Sequence, residues 1–228
     1  LQPFLMWWLP RRFSVLNEPG GLVQSARMSE LAIVLTCLAV VATASGAPFL
    51  IALMTPAAYH GAIVYVPAVA VLAALNSASH LVDTGCLRPE RTTWPIRIDG
   101  VAAVVALVGY VSLIPILGAW GAIIATAAAL SWRLAAYWYF GRRYAAIPYR
   151  LGASALVVTA TLIWTLAIAV TPGMFLPLMI GAVAGLVLIV LSLLLDLFPP
   201  QVSAVLTAWW ENRRNGPAPT LRSANSEL

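Results

Sequence analysis

The sequence predicts an all-α integral membrane protein, and three observations carry that prediction. Of 228 residues, 61% are hydrophobic and 9% are charged, with a mean hydropathy of +0.90. Water-soluble domains carry about 25% charged residues, so an ordinary soluble fold is excluded. The apolar residues gather into six runs, each close to the ~20 residues needed to cross a bilayer core of ~30 Å. All 13 basic residues are arginine, and 12 of them fall outside those runs.

Six transmembrane helices are therefore expected, at about 31–54, 61–82, 98–117, 120–140, 151–170 and 174–198. A partial span ends within "LQPFLMWWLP" (1–10), where Trp7 and Trp8 have the composition of an interfacial anchor. Arginine marks every second connection. Arg11, Arg12 and Arg27 precede the first helix, and Arg88, Arg91 and Arg97 fall in 83–97. Arg142, Arg143 and Arg150 fall in 141–150, and Arg213, Arg214 and Arg222 in the tail. The intervening connections near 55–60, 118–119 and 171–173 carry none. By the positive-inside rule, this alternation places both ends of the chain in the cytoplasm. The short outer turns pair the helices as three hairpins, with "AVTPGMF" (169–175) the clearest Pro-Gly turn.

A net charge of +5 in such a chain describes loops facing anionic lipid headgroups, and no basic stripe with interleaved aromatics suggests nucleic acid. Cys37 lies in an apolar run and Cys86 in an arginine loop, so both are expected to be free. No signal-peptide pattern precedes the first helix, and a chain opening on Leu1 reads as the C-terminal portion of a longer protein. After Pro199 and Pro200, "QVSAVLTAWWENRRN" has the pattern of an interfacial helix with Trp209 and Trp210 at headgroup depth. The final dozen residues are expected to be disordered.

Helix association in lipid depends on close approach through small residues. The fourth run offers two small stripes, Gly118/Ala122/Thr126/Ala129 and Gly121/Ala125/Ala128, and the sixth offers Gly181 and Gly185. Pro48, Pro67, Pro115 and Pro177 are expected to kink their helices and free backbone carbonyls, which only buried or wet surroundings tolerate.

Ionisable groups inside a membrane are costly and point to function. Arg133 lies about 10 Å inside the cytoplasmic end of the fourth run. It either snorkels past Tyr137 or faces a cavity, where its forked donors suit phosphate oxygens. In "NSASHLVD" the second run places Asn76, His80 and Asp83 at i, i+4 and i+7, with Ser79 beside them. Such a polar stripe is expected to line a wet pathway, with His80 and Asp83 as a protonatable pair; otherwise Asp83 caps the helix. Asp99 reads as an N-terminal helix cap, Asp196 as a boundary residue and His60 as solvated. No catalytic constellation, metal-ligand spacing or phosphate loop is present in the sequence, so neither enzyme activity nor a cofactor is expected.

Together, "APFLIALMTPAAYHGAIVYVPAVAVLAAL" (47–75), the arginine loop and "SLIPILGAWGAIIAT" (112–126) resemble the C-terminal half of Wzx-type polysaccharide flippases of the MATE-like superfamily. Tyr59, Leu113, Ile114, Pro115, Gly118, Gly121 and Ala122 carry the resemblance in order, across roughly residues 1–150. The resemblance implies the C-terminal lobe of a bundle of 12 to 14 helices, with residues 151–200 adding two helices and 201–228 a cytoplasmic tail. It implies flipping of a polyprenyl-pyrophosphate-linked oligosaccharide across the bacterial inner membrane by alternating access, for O-antigen, exopolysaccharide or capsule synthesis. Arg133, Asn76, His80 and Asp83 would contribute to its cavity. Membrane lipids and a polysaccharide polymerase would be partners. The competing readings are a lipid II flippase, a cation-coupled multidrug exporter and a non-transporting subunit of a polysaccharide assembly complex. A membrane glycosyltransferase would need longer outer loops than these.

Overall fold

A computed structural model describes residues 6, 8, 10–12, 14–15, 18–83, 86, 93–144, 148, 150–171, 173 and 175–198. Six helices long and apolar enough to cross a membrane follow one another in it. They are α1 (Gly21–Met54), α2 (Val66–Val82), α3 (Thr93–Leu117), α4 (Ala119–Tyr144), α5 (Leu151–Val170) and α6 (Phe175–Leu194). A 3-10 segment, Ala57–Tyr65, leads into α2 and completes its span. No strand occurs among the described residues, so the chain is an all-α multi-pass membrane protein. The expected tail helix and disordered terminus lie outside the described residues, as do Arg88, Arg91 and most of the first ten positions.

The helices exceed the apolar runs where polar residues find partners inside the protein. α1 starts ten residues before its run, and its 34 residues span roughly 51 Å. Gly21, Ser25, Ala26, Ser29 and Glu30 are buried on one stripe of that extension, where small side chains let neighbours approach. At the other end of the chain, α6 stops at Leu194 rather than 198. Asp196 takes a left-handed φ of 51° there and is held by Arg27 of α1 and by Arg150, which precedes α5.

Of the four prolines expected to kink their helices, Pro48 and Pro115 lie in helix interiors. Pro67 and Pro177 sit in the first turns of α2 and α6, where no intrahelical N–H is required, so neither breaks a backbone bond. Buried hydroxyls close back onto their own helices. Thr36 donates to the Ala32 carbonyl, Thr161 to Val157 and Ser192 to Leu188, so apolar surroundings meet few free polar groups.

The bundle divides into two three-helix groups. α2, α3 and α4 form one; α1, α5 and α6 form the other, around Val34, Val41, Val157, Ala184 and Leu188. Thus the last two helices build a core with α1 rather than standing apart as an appendage. α1 and α2 join the groups. Along most of its length α3 presents apolar residues outward, including Val104, Leu107, Val108 and Val111, as a lipid-facing helix does.

The α3–α4 hairpin explains the glycines of "LIPILGAWGA". Gly118 turns the chain at φ 58°, its N–H donating to the Ile114 carbonyl. A Cβ on Gly121 would sit 2.3 Å from the Leu113 carbonyl oxygen, so the helices cross where no side chain intervenes. A Cβ on Gly109 would meet the Ala125 side chain and one on Gly181 the Ser45 side chain, whereas Gly185 faces open space.

Candidate functional site: a charged end and a seam cavity

Antiparallel helices send the start of α1, the end of α2, the start of α3, the end of α4, the start of α5 and the end of α6 to one end of the bundle. Every described ion pair lies at that end. At the opposite end, Phe49 meets Phe175 and Tyr65 meets Trp120. His60 is at this opposite end too, half-buried, its Nε2 3.2 Å from the Thr55 carbonyl. The charges of alternate connections thus find their partners at one end of the bundle.

Two ion pairs organise the α2–α3–α4 side. Arg133, on α4, brings Nε within 3.0 Å of Asp99 Oδ1, although that N–H is not directed along the contact. Its Nη1 donates to Asn76 Oδ1 at 3.2 Å, and its guanidinium lies 5.7 Å from the Tyr137 ring centre. Arg12 donates to Asp83 Oδ1 at 2.7 Å and to the His80 carbonyl, with both ionic side chains largely buried. His80 Nδ1 stands 3.8 Å from Asp83 Oδ2.

The expected stripe therefore exists on α2, but its members turn to different partners. Asn76 meets Arg133, while Asp83 meets Arg12 and only then His80. Ser79 is fully buried and bonds the Asn76 carbonyl. Asp99 does not open its helix; α3 begins six residues earlier, and the carboxylate serves Arg133 instead of an N-terminus. Arg133 accordingly neither snorkels freely nor stands unpaired.

On the α1–α5–α6 side, Arg27 and Arg150 both engage Asp196. Arg27 also donates to the Asp196 carbonyl. Glu30 is 1% exposed, and its Oε1 accepts the Arg150 backbone N–H at 3.0 Å. That carboxyl from α1 thereby serves the N-terminus of α5, where backbone donors lack intrahelical partners. Its Oε2 is buried without a hydrogen-bond partner among the described residues. Sequence reading passed over Glu30 because it precedes the apolar run by one residue; its place in the stripe of small residues was the available signal.

Between the two groups lies a cavity of about 640 Å³. α1 contributes Ile33 and Val40, α2 Ala78, α4 Leu134 and Trp138, and α5 Val158. Its walls are almost wholly apolar; two hydroxyls among them, those of Thr36 and Thr161, are spent on their own helices. On α5 it extends from Leu151 to Leu162, roughly 16 Å, or about one leaflet of the bilayer. The lining belongs to the half of the bundle nearer the charged end. A second groove, between α1 and α2, is lined mainly by small residues such as Ala39, Ala70 and Ala73. Asn76, His80, Asp83 and Arg133 line neither of the two; Arg133 is tied to Asp99 and Asn76, and Asp83 to Arg12 and His80. Pairing of this kind offsets much of the cost of placing Arg12, Asp83 and Arg133 in apolar surroundings.

Among the described residues, no group of three or more potential metal ligands occurs. Cys37 and Cys86 are free and buried, Cys86 donating to the Tyr137 carbonyl at 3.7 Å. Burial, and secondarily the nearby Asp83 charge, push the Cys86 thiol up to about 11. No family model, curated protein or solved structure matches the chain.

Proposed function

We propose that this chain takes part in translocating a polyprenyl-pyrophosphate-linked oligosaccharide across the bacterial inner membrane, by alternating access between its two helix groups. The observation that carries the reading is the apolar seam cavity, one leaflet deep, beside a charged end. A seam between two groups is where alternating access would open. Its apolar walls suit a hydrocarbon tail, and the arginines beside it suit phosphate. The order of residues in "SLIPILGAWGA" supports the same reading through its resemblance to flippases. In this reading the arginine-bearing end faces the cytoplasm, where the lipid-linked substrate is made. The pyrophosphate competes with Asp99 for Arg133, so loading the substrate loosens the contact of α3 with α4.

The test is complementation of a bacterial strain lacking its own polysaccharide flippase by the gene for this chain. Restored surface polymer is expected, with Arg133→Ala strongly impaired and Arg133→Lys intermediate. Absence of surface polymer from a correctly inserted wild-type protein overturns the reading. Glu30 favours a second reading, a cation-coupled exporter, because a buried carboxyl with one unpartnered oxygen is what cation coupling needs. Drug efflux that Glu30→Gln abolishes, without polymer export, would select it.

A further inference from the structure

Four described arginines, Arg12, Arg27, Arg133 and Arg150, are each set against an aspartate. Arg142 is exposed and has no such partner. Among the described residues it makes neither an ion pair nor a hydrogen bond. Its contact is with Trp138, whose ring centre lies 4.7 Å from the guanidinium carbon. Trp138 is also a wall of the seam cavity.

On α4 the cavity is lined by Ser131, Leu134, Ala135 and Trp138, spaced i, i+3, i+4 and i+7. Arg142 continues that face one turn further, toward the charged end. The neighbouring Arg143 leaves this stripe, stacking on Tyr139 and donating to its hydroxyl at 2.7 Å. An apolar slot one leaflet deep thus ends at an aromatic ring that carries an uncompensated, forked donor. The matching ligand is an amphiphile with an apolar tail and an anionic, oxygen-rich head.

We propose that this seam binds one phosphate-headed membrane lipid, its tail among Ala78, Leu134, Ala135 and Trp138 and its phosphate on Arg142. The site rests on the seam cavity being a lipid site, as in the function proposed above, but requires no translocation. Charge complementarity selects an anionic headgroup, and the depth of the apolar walls selects a lipid over free phosphate.

The full chain, purified in mild detergent, is presented with dioleoylphosphatidylglycerol, dioleoylphosphatidylcholine or undecaprenyl phosphate, and retained lipid is counted by native mass spectrometry. Wild-type protein retains one phosphatidylglycerol or undecaprenyl phosphate in preference to phosphatidylcholine. Arg142→Gln reduces that retention about tenfold, the order expected for losing a charge-assisted contact. Arg142→Lys retains part of it, and Arg143→Gln leaves it unchanged. Ala135→Phe, which fills the slot, abolishes retention while thermal unfolding confirms that the variant is folded. Should Ala135→Phe not fold, the contrast between Arg142→Gln and Arg143→Gln decides alone.

Equal loss from Arg142→Gln and Arg143→Gln overturns the site, because general surface charge then explains binding. Displacement of the lipid by millimolar inorganic phosphate also overturns it, since the tail then contributes nothing. Retention of phosphatidylglycerol with rejection of undecaprenyl phosphate upholds the site while removing the flippase reading. Export of polymer without a retained lipid has the reverse meaning.

Discussion

Replacing Gly121 with alanine tests the close approach of α4 to the α3 backbone. A Cβ there stands 2.3 Å from the Leu113 carbonyl oxygen, 2.5 Å from its carbon and 2.8 Å from the Ile114 nitrogen. All three atoms are backbone, so no rotamer change relieves the clash. Restoring an ordinary contact of about 3.4 Å requires the hairpin to open by roughly 1 Å, from the difference between 3.4 and 2.3 Å. Overpacking of this kind costs about 1–3 kcal/mol. Gly185→Ala is the internal control, because nothing lies within 4 Å of its added methyl. There the change favours the helix by up to ~1 kcal/mol. Reversible unfolding in mixed SDS and mild detergent, followed by circular dichroism, should show the two variants displaced in opposite directions from wild type. If Gly121→Ala unfolds with wild type, the close approach of α3 and α4 is not a constraint on this fold.

Arg12→Met leaves the buried Asp83 carboxylate with His80 at 3.8 Å, and should cost about 3–5 kcal/mol in the same assay; a loss below 1 kcal/mol would mean the pair behaves as a surface bridge. Glu30→Gln keeps an acceptor for the Arg150 N–H and should unfold near wild type, whereas Glu30→Ala should lose about 1 kcal/mol, the usual worth of a helix cap. The Cys86 thiol, pushed to about 11 from an ordinary 9.0, carries about a hundredfold less thiolate at pH 8. Because the shift favours the neutral form, its alkylation in the folded protein should rise tenfold per pH unit from pH 8 toward 11, and an ordinary rate at pH 8 would contradict the burial. For sidedness, a membrane-impermeant maleimide on intact cells should label Ala58→Cys and spare Arg143→Cys; the reverse pattern would invert the bundle.

The six spans were legible because hydropathy and arginine placement report directly on insertion. Boundaries were less so. Residues 21–30 mix polar and apolar side chains, and tertiary packing against α1 makes their helical stripe a buried surface. The polar stripe on α2 was readable, since spacing fixes which residues share a face. Partner choice was not, because Arg12 and Asp83 are 71 positions apart and Arg133 and Asn76 are 57 apart. The grouping of α1 with α5 and α6 is likewise a property of tertiary packing, invisible to a window moving along the chain. Arg142 was counted in the sequence as topology; its relation to Trp138 and the cavity appears only once four helices are assembled.

The cap that Glu30 supplies to α5 has a consequence for synthesis. Its donor, the Arg150 amide, lies 120 residues downstream. At about 5–20 residues per second, translation delivers that amide roughly 6–24 s after the carboxylate. During that interval α1 carries an acidic group whose binding partner does not yet exist, while the α3–α4 hairpin, built from near neighbours, has all it needs. The order of synthesis therefore lets α3 and α4 close before the Glu30 cap can form. A nascent chain arrested before Arg150 should leave α1 accessible to an insertase or a membrane protease, and one arrested well beyond Leu194 should not.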